Sequence, residues 1–212
     1  MTSISVLLAD DHPVVRDGYR CLLEGTDDIT VIAEAMDGET TLSLYSERRP
    51  DVVVLDLNMP GIGGLATIER LLRKDDNARI LVFSTHDSQE IIQRTIQAGA
   101  KGFLIKSSDV NQLVEAIRQV ARGRTYIDPT CVMDLAANQI RKNNDPLSIL
   151  TPREFEIFRL LADGMTTAQI ALTISISSKT VGVHHANIMR KLNLENGAQL
   201  VRLAIRSRII DL

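Results

Sequence analysis

The chain has 212 residues, 44% hydrophobic and 24% charged, enough for one large or two small soluble domains. No apolar run approaches the ~20 residues needed to cross a bilayer, so no membrane association is expected. The first apolar run breaks early at Asp10-Asp11 with no basic segment before it, which argues against a secretory signal. The formal net charge of −3 argues weakly against nucleic acid, but the charge is uneven. After Pro146 eight basic and five acidic residues give +3, leaving −6 for the rest. An acidic front and a mildly basic back suggest two domains with different partners. Cys21 and Cys131 are isolated, match no metal or redox spacing and read as reduced structural cysteines of a cytoplasmic protein.

Residues 1–124 alternate short apolar runs with helix-period segments, the pattern of a parallel sheet covered on both faces. Strands are expected near 4–9, 29–33, 52–56, 80–84 and 102–105, and helices near 13–24, 38–47, 64–73, 88–98 and 109–122. Five β/α units of this size predict a flavodoxin-like fold with right-handed crossovers. Pro13 suits the first turn of the first helix.

Four of these strands deliver a polar side chain at the carboxyl end, where open α/β sheets place their ligand crevice. The first run ends in Asp10-Asp11, and Val52-Val53-Val54-Leu55 ends in Asp56, with Pro60-Gly61 turning the chain away soon after. Three converging carboxylates repel one another unless a hard cation holds them, and Mg²⁺ suits a few oxygen ligands and a phosphate. Ser84 and Lys106, at the ends of two further strands, could each hold a phosphoryl oxygen. In this order, Asp10-Asp11, Asp56, Ser84 and Lys106 resemble the receiver domain of two-component response regulators.

Residues 125–147 are expected to be a linker. They hold a modest helical pattern (Val132, Leu135, Ala136, Ile140) and then a polar run to Pro146. From residue 148 the chain is all helix-period, with helices expected near 152–163, 167–174, 178–192 and 197–209. Thr151-Pro152-Arg153-Glu154 is a capping box with proline at the first helical position, and Thr166 to Gln169 is a second. Asn196 to Gln199 resembles a third, and Ser177 or Ser178 caps the helix beginning at Lys179. The short helix, tight turn and second helix across 164–181 read as a helix-turn-helix. With Arg190-Lys191-Leu192 after it, this segment resembles the LuxR-type DNA-binding domain, and the whole chain resembles the NarL/FixJ family of transcriptional regulators.

By period, Val181, Ile188 and Leu192 belong to the core, while Lys179, Val183, Ala186, Asn187 and Arg190 face the major groove. Lys179, Arg190 and Thr180 are assigned to phosphates, Val183 to thymine methyls and Asn187 to an adenine edge. Gly182 and His185 depart from the family pattern; Gly182 costs up to ~1 kcal/mol of helix stability, and His185 is expected to be partly buried. Leu200, Val201, Ala204, Ile205 and Ile209 make the last helix unusually apolar. In this family that helix pairs across a two-fold axis, so Val201, Ile205 and Ile209 are the dimerisation candidates, against core packing as the plainer alternative.

The resemblance implies a phosphorylation-controlled transcription factor rather than a turnover enzyme. Asp56 would accept a phosphoryl group from a sensor histidine kinase. Mg²⁺ would be held by Asp11, Asp56 and the Asn58 carbonyl, with Asp10 assisting. Lys106 and Ser84 would bind the phosphoryl oxygens, and movement of Ser84 would let Phe103 rotate inward. The implied partners are that kinase, double-stranded DNA with two half-sites, RNA polymerase and a second copy of the chain once phosphorylated. The unphosphorylated receiver is expected to cover the recognition helix. Two alternatives compete: a haloacid-dehalogenase-type phosphatase, disfavoured because Asn58 stands where that chemistry needs an aspartate, and a phosphorylation-independent regulator whose receiver only dimerises.

Overall fold

The structure is a computed structural model that describes residues 3–85, 88–131, 146–174, 176–207 and 209–210. Strands β1 (Ile4–Ala9), β2 (Ile29–Ala35), β3 (Val52–Leu55), β4 (Ile80–Ser84), β5 (Gly102–Ile105) and β6 (Tyr126–Ile127) form one sheet in the order β2-β1-β3-β4-β5-β6. Every pairing is parallel. Helices α1 (Pro13–Glu24), α2 (Gly38–Arg48), α3 (Gly64–Lys74) and α4 (Gln89–Gln97) connect the first five strands, and α5 (Val110–Ala121) leads from β5 to β6. The five expected strands are therefore present, and a sixth, two residues long, comes from the stretch assigned to the linker.

Alternation along each buried strand feeds two cores, as a sheet covered on both faces requires. Val52 and Val54 face one side with Val6, Leu8, Phe83 and residues of α1 and α5. Val53 and Leu55 face the other with Leu7, Val82, Phe103 and residues of α3 and α4. The second core runs on without a break into the C-terminal helices. Of the two free cysteines, Cys131 is buried but Cys21 is exposed, so only the former is structural packing. The expected helical pattern at Val132, Leu135, Ala136 and Ile140 lies outside the described residues.

A 3₁₀ turn (Pro146–Ile149) leads into α6 (Pro152–Ala162), α7 (Thr167–Thr173), α8 (Ser178–Lys191) and α9 (Gly197–Arg206). Both capping boxes form with the expected partners, Thr151 with Glu154 and Thr166 with Gln169. Ser177 caps α8. The third box is half made: Asn196 accepts the Gln199 amide, but the Gln199 side chain turns to the Glu195 amide instead. Glu154 does double duty, because the oxygen that accepts the Thr151 amide (2.9 Å) also takes Lys191 Nζ at 2.6 Å. Burial pushes the Glu154 carboxyl up, yet Lys191 and Thr151 outweigh it and hold it below its ordinary value. The end of α8 is thereby fastened to the start of α6.

Helix α6 sits against α3 and α4. Arg94 of α4 donates to the carbonyls of Leu147 and Leu150, and its guanidinium carbon lies 4.0 Å from the centroid of the Phe155 ring. Arg153 Nη1 donates to the Gly61 carbonyl (2.8 Å) and to Glu156 Oε2 (2.6 Å), and its Nη2 to the Ile174 carbonyl (2.9 Å). Gly63 has a left-handed φ of 75°, and a Cβ there would lie 2.4 Å from the Glu156 carboxylate. Only glycine serves at that point of the loop.

Burial pushes the Glu156 carboxyl up to about 7, the Arg153 pairing notwithstanding, and the Glu39 charge adds to the rise. The docked arrangement therefore holds a proton that an exposed glutamate releases near pH 4.5. Docking is favoured at low pH and loses this contribution as pH rises through 7. Small-angle scattering from pH 6 to pH 8.5 should show the two halves separating with rising pH. Glu156→Gln should flatten that dependence and keep the compact form at pH 8.5; an unchanged profile in the variant contradicts the assignment.

Candidate functional site

Register sets the site. β1 pairs with β3 from Val6 with Val52 to Ala9 with Leu55, so Asp10 and Asp56 leave the sheet side by side. The Asp56 amide donates to the Ala9 carbonyl at 2.9 Å and the Asp10 amide to the Ala35 carbonyl at 3.0 Å. Both carboxylates are only 2% exposed. From β5, the Lys106 amide donates to the Ser84 carbonyl, and Nζ lies 2.7 Å from Asp10 Oδ2 and 2.7 Å from Asp56 Oδ2. The other oxygens take backbone donors, Asp10 Oδ1 from the His12 amide (2.9 Å) and Asp56 Oδ1 from the Asn58 amide (3.2 Å).

One ammonium thus serves two buried carboxylates, and Asp11 adds a third charge beside them. Burial, then the Asp56 and Asp10 charges, push the Asp11 carboxyl up, with His12 opposing. For Lys106 burial pulls the other way, but Asp56 and Asp10 outweigh it and raise the ammonium's pKa. Asp11 Oδ1 lies 2.8 Å from His12 Nδ1 yet is buried without a hydrogen-bond partner, as is Asn58 Oδ1. Ligand atoms of Asp10, Asp11, His12 and Asp56 all lie within 4.8 Å of one another. An oxygen-rich, charge-deficient cluster with orphaned acceptors fits a hard divalent cation.

Ser84 is fully buried at the end of β4. Phe103 is fully buried as well, so an inward rotation has no exposed starting point in this state. His12 was not singled out from the sequence, although a histidine directly after two strand-end aspartates was a readable signal. Thr85 was also missed; its hydroxyl accepts from Asn58 Nδ2 at 3.4 Å.

The loop after β3 carries Asn58 on one side and meets α6 on the other. Leu57, Asn58, Ile62 and Gly63 face Pro152, Phe155, Glu156 and Arg159 across a cleft. Burial lowers the Arg159 pKa, while Asp163, Glu156 and Asp56 support its charge. A guanidinium of the helical unit therefore feels the aspartate crevice.

On α8, Val181 and Ile188 are buried, while Lys179, Thr180, Val183, Ala186 and Arg190 are exposed. Val183 is 55% exposed, an apolar side chain held out to solvent. Asn187 is half-buried and its Oδ1 accepts from Arg190 Nη2 at 2.9 Å. The receiver does not cover this face, which corrects the expectation that it would. His185 is half-buried, as expected, and Gly182 has open space around it. On α9 and just beyond, Leu200, Ala204 and Ile209 are core, and Val201 and Ile205 are half-exposed.

Residues 6–118 match the family described as response regulator receiver domain, and residues 148–204 the one described as bacterial regulatory proteins, luxR family. The oxygen regulatory protein NreC of Staphylococcus carnosus is 35% identical over 216 residues, covering 98% of this chain and all of that one. The nitrate/nitrite response regulator protein NarL of Escherichia coli K12 is 35% identical over 209 residues, covering 97% and 96%. Among solved structures, the RcsB response regulator of Salmonella typhimurium aligns with a TM-score of 0.71 at 27% identity, covering 95% and 96%. An RcsB–DNA complex aligns at 0.61 and 26%, covering 95% and 98%. The chain belongs to the LuxR-type two-component response regulators.

In this response regulator the pocket depends on Lys106 for charge balance. Lys106→Ala should destabilise the fold by about 3–5 kcal/mol, because it leaves two buried carboxylates without a cation. Urea unfolding of the wild type and the variant measures this, and a variant as stable as the wild type contradicts the pairing.

Proposed function

We propose that this response regulator is a phosphorylation-controlled transcription factor that accepts a phosphoryl group on Asp56 from a sensor histidine kinase. The supporting observation is that Asp56 is buried beside Asp10 and that the two share the Lys106 ammonium. In the step, an Asp56 oxygen attacks phosphorus, the P–N bond to the kinase histidine breaks, and the imidazole leaves with the bond pair. Asp11, Asp56 and the Asn58 carbonyl would hold Mg²⁺, with Asp10 assisting. Mg²⁺ would neutralise phosphoryl charge during transfer. Lys106 and the Ser84 hydroxyl would then bind phosphoryl oxygens, with the buried Phe103 behind them. The chain acts here as a stoichiometric acceptor, not a turnover enzyme, and works in the cytoplasm; among the described residues no helix is long and apolar enough to cross a membrane.

We assign the receiver to residues 1–124, a linker to 125–147 and the DNA-binding domain to 148–212. Lys179, Thr180 and Arg190 would meet phosphates, and Val183 and Asn187 base edges, once Asn187 gives up Arg190. Because this face is exposed while α6 is docked, phosphorylation would act by freeing and pairing subunits rather than by uncovering the helix. Val201 and Ile205 would form the pairing face, with Ile209 contributing from the core side. A homodimer on two half-sites would then meet RNA polymerase.

Acetyl phosphate with Mg²⁺ should give a phosphoprotein by mass spectrometry. Chelating the metal should suppress the adduct and Asp56→Asn should abolish it; an adduct persisting in the variant defeats the assignment. Separately, Lys179→Ala should weaken binding on all DNA sequences alike and reduce the salt slope by about one. A loss confined to one sequence would place Lys179 at a base instead.

A further inference from the structure

Asp128 lies just after β6 and is fully buried. Its Oδ1 caps the helical turn at 129–131, accepting from the Thr130 amide (3.0 Å) and hydroxyl (2.6 Å). Capping uses one oxygen. The second reaches across the sheet: Oδ2 accepts from the Ile105 amide (3.3 Å) and the Ser108 hydroxyl (2.5 Å). These two residues flank the turn that carries Lys106. The Asp128 amide also donates to the Phe103 carbonyl at 2.8 Å, and its carbonyl accepts the Cys131 amide at 2.9 Å. Burial pushes the Asp128 carboxyl up, but the hydrogen bonds from Ser108, Thr130 and Ile105 outweigh it and hold it below the ordinary aspartate value. It is therefore a charged acceptor around neutral pH, where charge-assisted bonds are the strong ones.

The Lys106 turn is thus held from two directions. Nζ points to Asp10 and Asp56, and the backbone and hydroxyl on either side point to Asp128. We propose that Asp128 is the positioning residue for Lys106, coupling the ammonium's place at Asp56 to the first turn of the segment that leads to the DNA-binding helices. When a phosphoryl group draws Lys106 away from Asp10, the turn shifts and the bonds at Asp128 Oδ2 lengthen. The cap on the other oxygen moves with them. The coupling is reciprocal, so tension on the segment also moves Lys106.

The inference rests on Asp56 being the phosphoryl acceptor, and amide hydrogen exchange on the full chain, with and without acetyl phosphate and Mg²⁺, tests it. In the wild type, phosphorylation should change exchange at Thr130 and Cys131 by about tenfold. Asp128→Ser keeps a capping oxygen but is too short to reach Ser108. Ser108→Ala removes the partner without touching the cap. Both variants should still form the Asp56 adduct, yet the change at Thr130 and Cys131 should fall below about twofold, an outcome a purely capping role would not give. A wild-type-sized response in both variants overturns the coupling, as does a wild-type adduct with no change at Thr130 and Cys131. A wild type that takes no phosphoryl group is a different result: it removes the acceptor itself, and the inference with it.

Discussion

A single ammonium between two buried carboxylates is the constraint on which the rest of this structure turns. Lys106 lies 2.7 Å from both Asp10 and Asp56, each almost wholly out of water. Charges placed there are costly unless paired, and with Asp11 close by the pairing is incomplete. Sheet order makes the arrangement possible: β1 and β3 are adjacent and parallel, so their carboxyl ends coincide, and β5 is two strands further along with a side chain long enough to reach back. The result is a crevice with excess negative charge, one shared ammonium and orphaned oxygen acceptors. Such a site has the oxygen chemistry that suits a hard divalent cation.

The crevice reports outward through the turns on its rim. The β3–α3 loop carries Asn58 toward the aspartates and gives its Gly61 carbonyl to Arg153 of α6, which also holds the end of α7 at Ile174. The Lys106 turn is held by Asp128 at the start of the segment leading to those same helices. One physical path therefore joins the aspartate crevice to the helical unit through space, and the Asp128 bonds tie the Lys106 turn to residues 128–131. Neither set of contacts touches the exposed face of α8.

Much of this was legible in the sequence, for specific reasons. Asp56 stood out because four apolar residues end in a charge and a second apolar run ends the same way at Asp10-Asp11. The capping boxes at Thr151 and Thr166 fixed two helix starts to the residue because they satisfy named backbone groups. What escaped had no local signature. β6 is two residues long and has no period to detect. Asp128 carries no local signal, since its partners Ile105 and Ser108 are 23 and 20 positions away. Glu156 carries no local signal either, because its approach to Gly63 arises only when the two domains meet. Ile209 shared the apolar spacing of Val201 and Ile205, and only the packed helices separate core from rim.

The central claim is that the Lys106 ammonium is handed from Asp10 to whatever occupies Asp56. The most direct measurement is a high-resolution crystal structure with Mg²⁺ and beryllofluoride, a mimic of the acyl phosphate. The account predicts an adduct on Asp56 with Lys106 Nζ on a fluoride and no longer within hydrogen-bond distance of Asp10. An adduct on Asp56 with Nζ still bridging Asp10 and Asp56, or an adduct on another residue, would contradict it.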